Sequence, residues 1–207
     1  MGLEFFIKGA IVGFSIAAPV GPIGVLCIRR TLAFGRLSGL FSGLGAAVAD
    51  VIFGLILVSG LTLVSDYLLQ THFYLHMIGG AFLLYLGFKT FNAKPGDITK
   101  KTTHKTLFRD FISTFFLTLT SPLTIIAYLA VFTGLGLANL RGDWLNALFL
   151  VLGVFIGATF WWFLLSEGVS LFRKKVTQNS MIWINRITGI IIGGFGILAW
   201  LYLLSEI

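Results

Sequence analysis

The sequence predicts an all-α, polytopic membrane protein of six transmembrane helices, arranged as two inverted three-helix repeats with broken first and fourth helices. Three observations predict it. Of 207 residues, 57% are hydrophobic and only 11% charged, whereas a soluble domain is about a quarter charged. The apolar residues gather into six long continuous runs, unlike the short alternating segments of a β-barrel. Three of the four prolines lie inside those runs, where each removes a backbone donor and crowds the preceding turn.

The runs are read as spans over 5–28, 37–61, 73–92, 111–137, 144–166 and 184–204. Each can cross a hydrocarbon core that takes about 20 helical residues. The first starts at Phe5-Phe6-Ile7, is interrupted by Ala18-Pro19-Val20-Gly21-Pro22 and ends before Arg29-Arg30. It leads straight into further apolar runs, so it is kept as a helix and not as a cleaved signal. The second carries Gly39, Gly43 and, near its middle, Asp50. The third runs from Phe73 to Phe91, and the fourth follows Arg109-Asp110. That fourth span bears a polar stripe of Thr114, Thr118, Thr120, Ser121 and Thr124, and is interrupted at Ser121-Pro122. The fifth holds Trp161 and Trp162 in mid-span, away from the interfacial belts where Trp gathers. Asn185 opens the sixth, as a helix cap or a gate.

Loop charge sets orientation. Arg29, Arg30 and Arg36 fall between spans one and two, Lys94, Lys100, Lys101 and Lys105 between three and four, and Arg173, Lys174 and Lys175 between five and six. The other two loops offer only Arg141 among Asp66, His72 and Asp143. The basic loops are therefore expected on the cytoplasmic side, with both termini outside. Residues 94–110, rich in Lys and Thr around Pro95-Gly96-Asp97, form the linker between a first repeat over 1–93 and a second over 111–207. The repeats echo one another: Gly21-Pro22 as Ser121-Pro122, Gly45 and Gly60 as Gly153 and Gly168, Gly80 and Gly87 as Gly189 and Gly196. Three spans is an odd number, so two such repeats lie inverted in the membrane.

Several function classes drop out. Cys27 is the only cysteine, which excludes an internal disulfide. The net charge of +7 has no soluble domain to carry it, so nucleic acid is not an expected partner. The spans hold no nucleophile with a base and no pair at metal spacing, so no catalytic residue, metal site or cofactor is assigned.

The chemistry that remains is that of transport. Freed backbone inside a bilayer persists only where it faces protein or a water-filled cavity, and interrupted helices in corresponding places of two halves point to a binding site. The amides after each break, at Ile23-Gly24 and Leu123-Thr124, are expected to be free helix N-termini, which favour anions such as a carboxylate. The expected binding residues are Pro19, Gly21, Pro22, Ile23 and Gly24 from the first break and Ser121, Pro122, Leu123 and Thr124 from the second. The competing reading of both breaks is a pair of packing kinks. Asp50, among Ala46, Ala47, Val48, Ala49, Val51 and Ile52, has no local partner. A charge at the bilayer centre costs about 2.5–3.5 kcal/mol on insertion scales, so this carboxyl must be paired, solvated or protonated. It is expected to exchange a coupling proton or hold a substrate amine; the bland alternative is a neutral Asp bonded to a neighbouring span. Glu167 and Thr118 are secondary candidates. Glu167 can instead pair with Arg173 or Lys174, and the threonine hydroxyls can serve freed carbonyls as well as line a path. Small residues four apart, as in Gly9 and Gly13 or Gly153 and Gly157, permit close helix contact within one chain or between two.

These residues resemble the LysE/RhtB family of amino-acid exporters. The resemblance is carried by Pro19-Val20-Gly21-Pro22, by Gly35, Gly39, Gly43 and Ala49-Asp50-Val51, and by Thr120-Ser121-Pro122-Leu123-Thr124 with Gly134-Leu135-Gly136. It covers nearly the whole chain, although the family usually has Asn before the proline where Ser121 stands here. It implies efflux of amino acids or similar small metabolites across the bacterial inner membrane, driven by a proton or ion gradient. The Gly-Pro-Gln-Asn of the basic-amino-acid branch is replaced by Gly21-Pro22-Ile23-Gly24, which leans the expectation toward a neutral substrate. The expected partners are a small-molecule substrate, protons or a coupling ion, and the bilayer. The rival readings are a divalent-metal exporter of related build and a membrane scaffold that transports nothing.

Overall fold

The structure, a computed structural model, describes residues 2–19, 21–58, 72–93, 103–121, 124–128 and 143–205, and among them it is all-helical. Helix α1 spans Gly2–Ala17, α2 Pro22–Phe34, α3 Arg36–Val58 and α4 His72–Phe91. Helix α5 spans His104–Leu119, and a short helical segment follows at residues 124–128. Helix α6 spans Trp144–Phe172, a 3-10 turn Arg173–Lys175, and α7 Gln178–Ser205. Three stretches, Arg36–Leu57, Trp144–Lys175 and Gln178–Leu201, are long and apolar enough to cross a membrane singly. Helices α1 and α2 qualify as one span bent by 79°. The described part of the third expected span contributes a shorter apolar helix, Met77–Phe91. The protein is a polytopic membrane protein, and large apolar side chains such as Phe88, Phe160, Ile190 and Leu201 are exposed on its outer faces.

The first break falls where proline predicts it. Helix α1 ends at Ala17, and α2 restarts with Pro22 in its first turn, where a missing N–H costs nothing. Gly21 precedes it in extended geometry (φ −91°, ψ −167°) and contributes no side-chain cap. Gly35, the one described residue with positive φ (103°), turns the chain from α2 directly into α3.

Two expectations need correction here. Arg29 and Arg30 do not lie in a loop: α2 restarts after the break and runs on to Phe34, carrying both back among the helices, where Arg30 is only 6% exposed. The basic charge of that turn therefore rests on Arg36, at the start of α3. The helix that carries the fourth expected span starts at His104, inside the stretch read as linker, so the end of that stretch is helical and not loop. Residues 94–102 and 129–142, with Gly60, Pro122 and Leu123, lie outside the described residues.

The main helix pairings are α1 with α6, α4 with α7, and α3 with both α5 and α6; α2 packs on α3, α6 and α7. Glycine makes these approaches close. A Cβ at Gly153 would strike the carbonyl oxygen of Phe6 and crowd the amide of Ala10; one at Gly45 would strike the carbonyl of Phe111 and crowd the amide of Phe115. Gly80 faces the Gly196 carbonyl, and Gly87 the Gly189 carbonyl. Without a hydrophobic force between helices in lipid, such backbone-to-backbone packing is a main source of association. Three apolar clusters fill the remainder, around Tyr128 and Leu150, around Cys27 and Trp162, and around Leu26 and Ile192.

Candidate functional site

A cavity of about 420 Å³ lies at the break between α1 and α2. Its floor and near wall are the end of α1 (Ser15, Ile16, Ala17), the break itself (Pro19, Gly21) and the first turn of α2 (Pro22, Ile23, Gly24). Helix α3 contributes Ala46 and Asp50, one turn apart on the same face. Thr118 and Ser121 come from the end of α5, Thr124 and Ala127 from the segment beyond it, and Trp162 from α6. Of the expected site residues, Pro19, Gly21, Pro22, Ile23, Gly24, Asp50, Thr118, Ser121 and Thr124 thus surround one space. Pro122 and Leu123 lie outside the described residues.

The physical reasons for this convergence are local. Because α2 leaves α1 at 79°, its N-terminus points into the protein and not along the span. The α2 N-terminus carries no side-chain cap, so its first amides can turn toward a guest in the cavity. The second break differs from expectation. The amide of Thr124 donates to the Ser121 carbonyl at 3.2 Å and that of Ile125 to the same oxygen at 3.3 Å. The Thr124 amide is therefore not free; its side chain, with that of Ser121, is what the second break brings to the cavity wall.

Asp50 is 4% exposed and is the one carboxylate among the described lining residues. Its hydrogen-bonding neighbour is the hydroxyl of Tyr128, itself fully buried. The sequence reading missed Tyr128. The available signal was helical spacing, because Tyr128 lies four residues after Thr124 and seven after Ser121, on one face of a resumed helix. Trp162, 4% exposed, forms a flat wall where Gly43 leaves no side chain: a Cβ there would overlap the indole. Its neighbour Trp161 instead meets Phe14 edge-on, with ring centroids 5.4 Å apart. The two tryptophans, read as equivalent in sequence, part in role.

Thr114 and Thr118 donate to the carbonyls four residues before them, at 2.9 Å each, the helix-internal bond typical of buried threonine. Glu167 stands apart from the cavity. Its carboxylate pairs with Arg36 at 3.0 Å on a partly exposed face. Arg36 opens α3 alongside α6, whereas Arg173 follows Glu167 on the same helix and sits over Gly35. Cys27 is a buried, packed residue in the cluster beneath the cavity wall. Asn185 does not cap its helix, because α7 starts at Gln178; it bridges instead, its Nδ2 donating to the Ala93 carbonyl at 2.9 Å and its Oδ1 accepting from Arg29 Nε at 2.8 Å.

Below the cavity lies a second polar cluster that the sequence reading did not find. Arg30 Nη1 donates to Ser42 Oγ at 2.8 Å, to the Asp110 carbonyl at 2.9 Å and to Thr114 Oγ1 at 2.9 Å. Its Nη2 donates to Ser113 Oγ at 2.6 Å, and its Nε faces Asp110 Oδ1 at 3.5 Å. Ser38 Oγ donates to the other carboxylate oxygen of Asp110. Arg30 and Asp110 are both buried, so the pair is hydrogen-bonded on nearly every side, as a charge removed from water requires.

Comparison with known proteins bears on this arrangement. The profile of the family described as "LysE type translocator" matches residues 14–203. The "Putative amino acid efflux protein YcgF" of Bacillus subtilis (strain 168) is 25% identical over 198 residues, covering 94% of each chain. The "Uncharacterized membrane protein YrhP" of the same organism is 27% identical over 188 residues, covering 84% of this chain and 87% of its own. No solved structure matches the chain.

Proposed function

The chain belongs to the LysE type translocator family, and from that premise we propose that it exports amino acids or similar small metabolites across the bacterial inner membrane, using a proton or ion gradient. The observation that carries this reading is the cavity, where the α1–α2 break, Asp50 and the Ser121–Thr124 break meet. The relative named for amino acid efflux, aligned over nearly its whole length, supports the substrate class. A zwitterion suits the lining. Its carboxylate would meet the first amides of α2, where partial positive charge gathers. Its amine would meet Asp50, whose hydrogen-bonding neighbour among the described residues is the Tyr128 hydroxyl. Asp50 would then exchange a proton with the cavity as substrate arrives and leaves.

Two inverted repeats, 1–93 and 111–207, would move against each other to expose the site to each side in turn. Matching glycine contacts support them. Gly153 meets the backbone of Phe6 and Ala10, and Gly45 that of Phe111 and Phe115, four residues apart in each case. The α4–α7 contact likewise pairs Gly80 with Gly196 and Gly87 with Gly189, an exchange of equivalent positions between halves.

The test is flux in proteoliposomes, with a panel of radiolabelled amino acids and with or without a pH gradient. Wild type is expected to transport at least one, and Asp50→Asn to lose at least tenfold of that rate. Transport by Asp50→Asn that matched wild type, pH dependence included, would sink the role given to Asp50. Absence of flux for every amino acid would sink the substrate class.

A further inference from the structure

We propose that the buried Arg30–Asp110 cluster is the gate that closes the cavity from the end of the protein bearing Arg36 and Arg173–Lys175, and that its separation admits substrate. The inference takes only its direction, loading from the cytoplasm, from the export reading. Three helices carry the argument, because each leads from the cavity to the cluster in the same sense. On α2, Gly24 lines the cavity and Arg30 lies six residues further on, about 9 Å along the axis. On α3, Ala46 lines the cavity, with Ser42 one turn and Ser38 two turns before it. On α5, Thr118 lines the cavity, with Thr114 and Asp110 one and two turns before it. Past the cluster come Gly35, Arg36 and the Arg173–Lys175 turn.

The chemistry suits a gate better than a rivet. A guanidinium held by hydroxyls, one carbonyl and the Asp110 carboxylate makes several short-range bonds that water can replace one by one. An apolar plug of the same size would bury area on closing but offer nothing to water on opening. Arg30 belongs to the second half of a bent span, while Ser38 and Ser42 sit on α3 and Asp110, Ser113 and Thr114 on α5. Separating α2 from α3 and α5 therefore breaks every bond of Arg30 together and leaves the Ser38–Asp110 bond between α3 and α5 in place. Arg29 adds a second tether from the same turn of α2 to Asn185 on α7 and, through it, to the end of α4.

The chain carries its own reporter. Cys27, its only cysteine, is 1% exposed and sits between the cavity-lining turn of α2 and Arg30. A membrane-impermeant maleimide is applied to inverted vesicles, which present the cytoplasmic face, and to whole cells, which present the other. Wild-type Cys27 is expected to react slowly from both sides. Arg30→Gln and the milder Ser42→Ala, which removes one acceptor, are expected to accelerate labelling tenfold or more in inverted vesicles only. A second reporter, Ser121→Cys in a Cys27→Ala background, should respond in the same way from the cavity wall. Rates unchanged within twofold in folded, monodisperse variants would overturn the gate, and so would equal acceleration from both faces, which signals general loosening. Labelling needs no substrate. If it responds as expected while no amino acid is transported, the gate stands and the substrate assignment falls.

Discussion

Alanine at Gly45 and at Gly153 should damage the protein to a similar degree, and alanine at Gly168 should not. The perturbation is one methyl group in each case. At Gly153 it would be driven into the carbonyl oxygen of Phe6, and at Gly45 into that of Phe111. Both obstacles are helical backbone, which cannot rotate aside as a side-chain tip can. The methyl must push α1 away from α6 in the first case, and α5 away from α3 in the second. Overpacking of this kind costs about 1–3 kcal/mol, and the separated helices also lose close Cα–H···O contacts worth about 0.5–1 kcal/mol each. Replacing glycine within a helix returns about 0.5–1 kcal/mol, which leaves a net loss of about 1–3 kcal/mol at each site. Gly168 has nothing within 4 Å of its missing Cβ, so only the favourable propensity change applies there. The assay is reversible unfolding in mixed micelles, where a loss of about 1.4 kcal/mol shifts the equilibrium tenfold. Gly45→Ala and Gly153→Ala variants no less stable than Gly168→Ala would refute the close packing. A large loss at one site with none at the other would refute the equivalence of the two contacts, and with it the repeat.

Other expectations can be checked on the same protein. Tyr128→Phe removes the hydroxyl facing Asp50 but keeps the ring that packs beside Phe53, with centroids 6.0 Å apart. It should shift the pH dependence of flux in proteoliposomes while costing about 1 kcal/mol of stability, and an unchanged pH profile would remove Tyr128 from the mechanism. Glu167→Gln breaks only a partly exposed pair with Arg36. Such pairs are worth about 0–1 kcal/mol, so flux and unfolding should both stay close to wild type, and a tenfold loss of flux would return Glu167 to the transport path.

What could be read from the sequence was what stood out against an apolar background. Pro19, Pro22 and Asp50 each violate the rules for a buried helix, and each lines the cavity. What could not be read depended on where a broken helix goes next. Arg29-Arg30 closes an apolar run, and two adjacent charges at the end of a straight helix mark the membrane surface. The 79° bend between α1 and α2 sends those arginines back into the bundle, where Asp110 meets Arg30 and Asn185 meets Arg29. Asp110 was hidden for the same reason, since beside Arg109 it reads as the edge of a span. Tyr128 and Trp162 carried no signal of conflict, because aromatic side chains are at home in lipid as well as in a wall. The span ends were least legible: α6 runs on to Phe172 and α5 starts at His104, because a helix can continue past its apolar run with polar residues such as Lys105 and Arg109 on an exposed face.

The pairing of helices has a consequence for how the chain is made. Helix α1 finds its close partner in α6, α4 in α7, and α3 in α5 and α6. Each of these contacts joins an element from before residue 94 to one from after it. During synthesis the early helices would therefore enter the membrane with their glycine seams facing lipid, and would wait for the later ones before locking. Two fragments divided within 94–102 and produced together should assemble into the whole, whereas either one alone should be a substrate for membrane quality control.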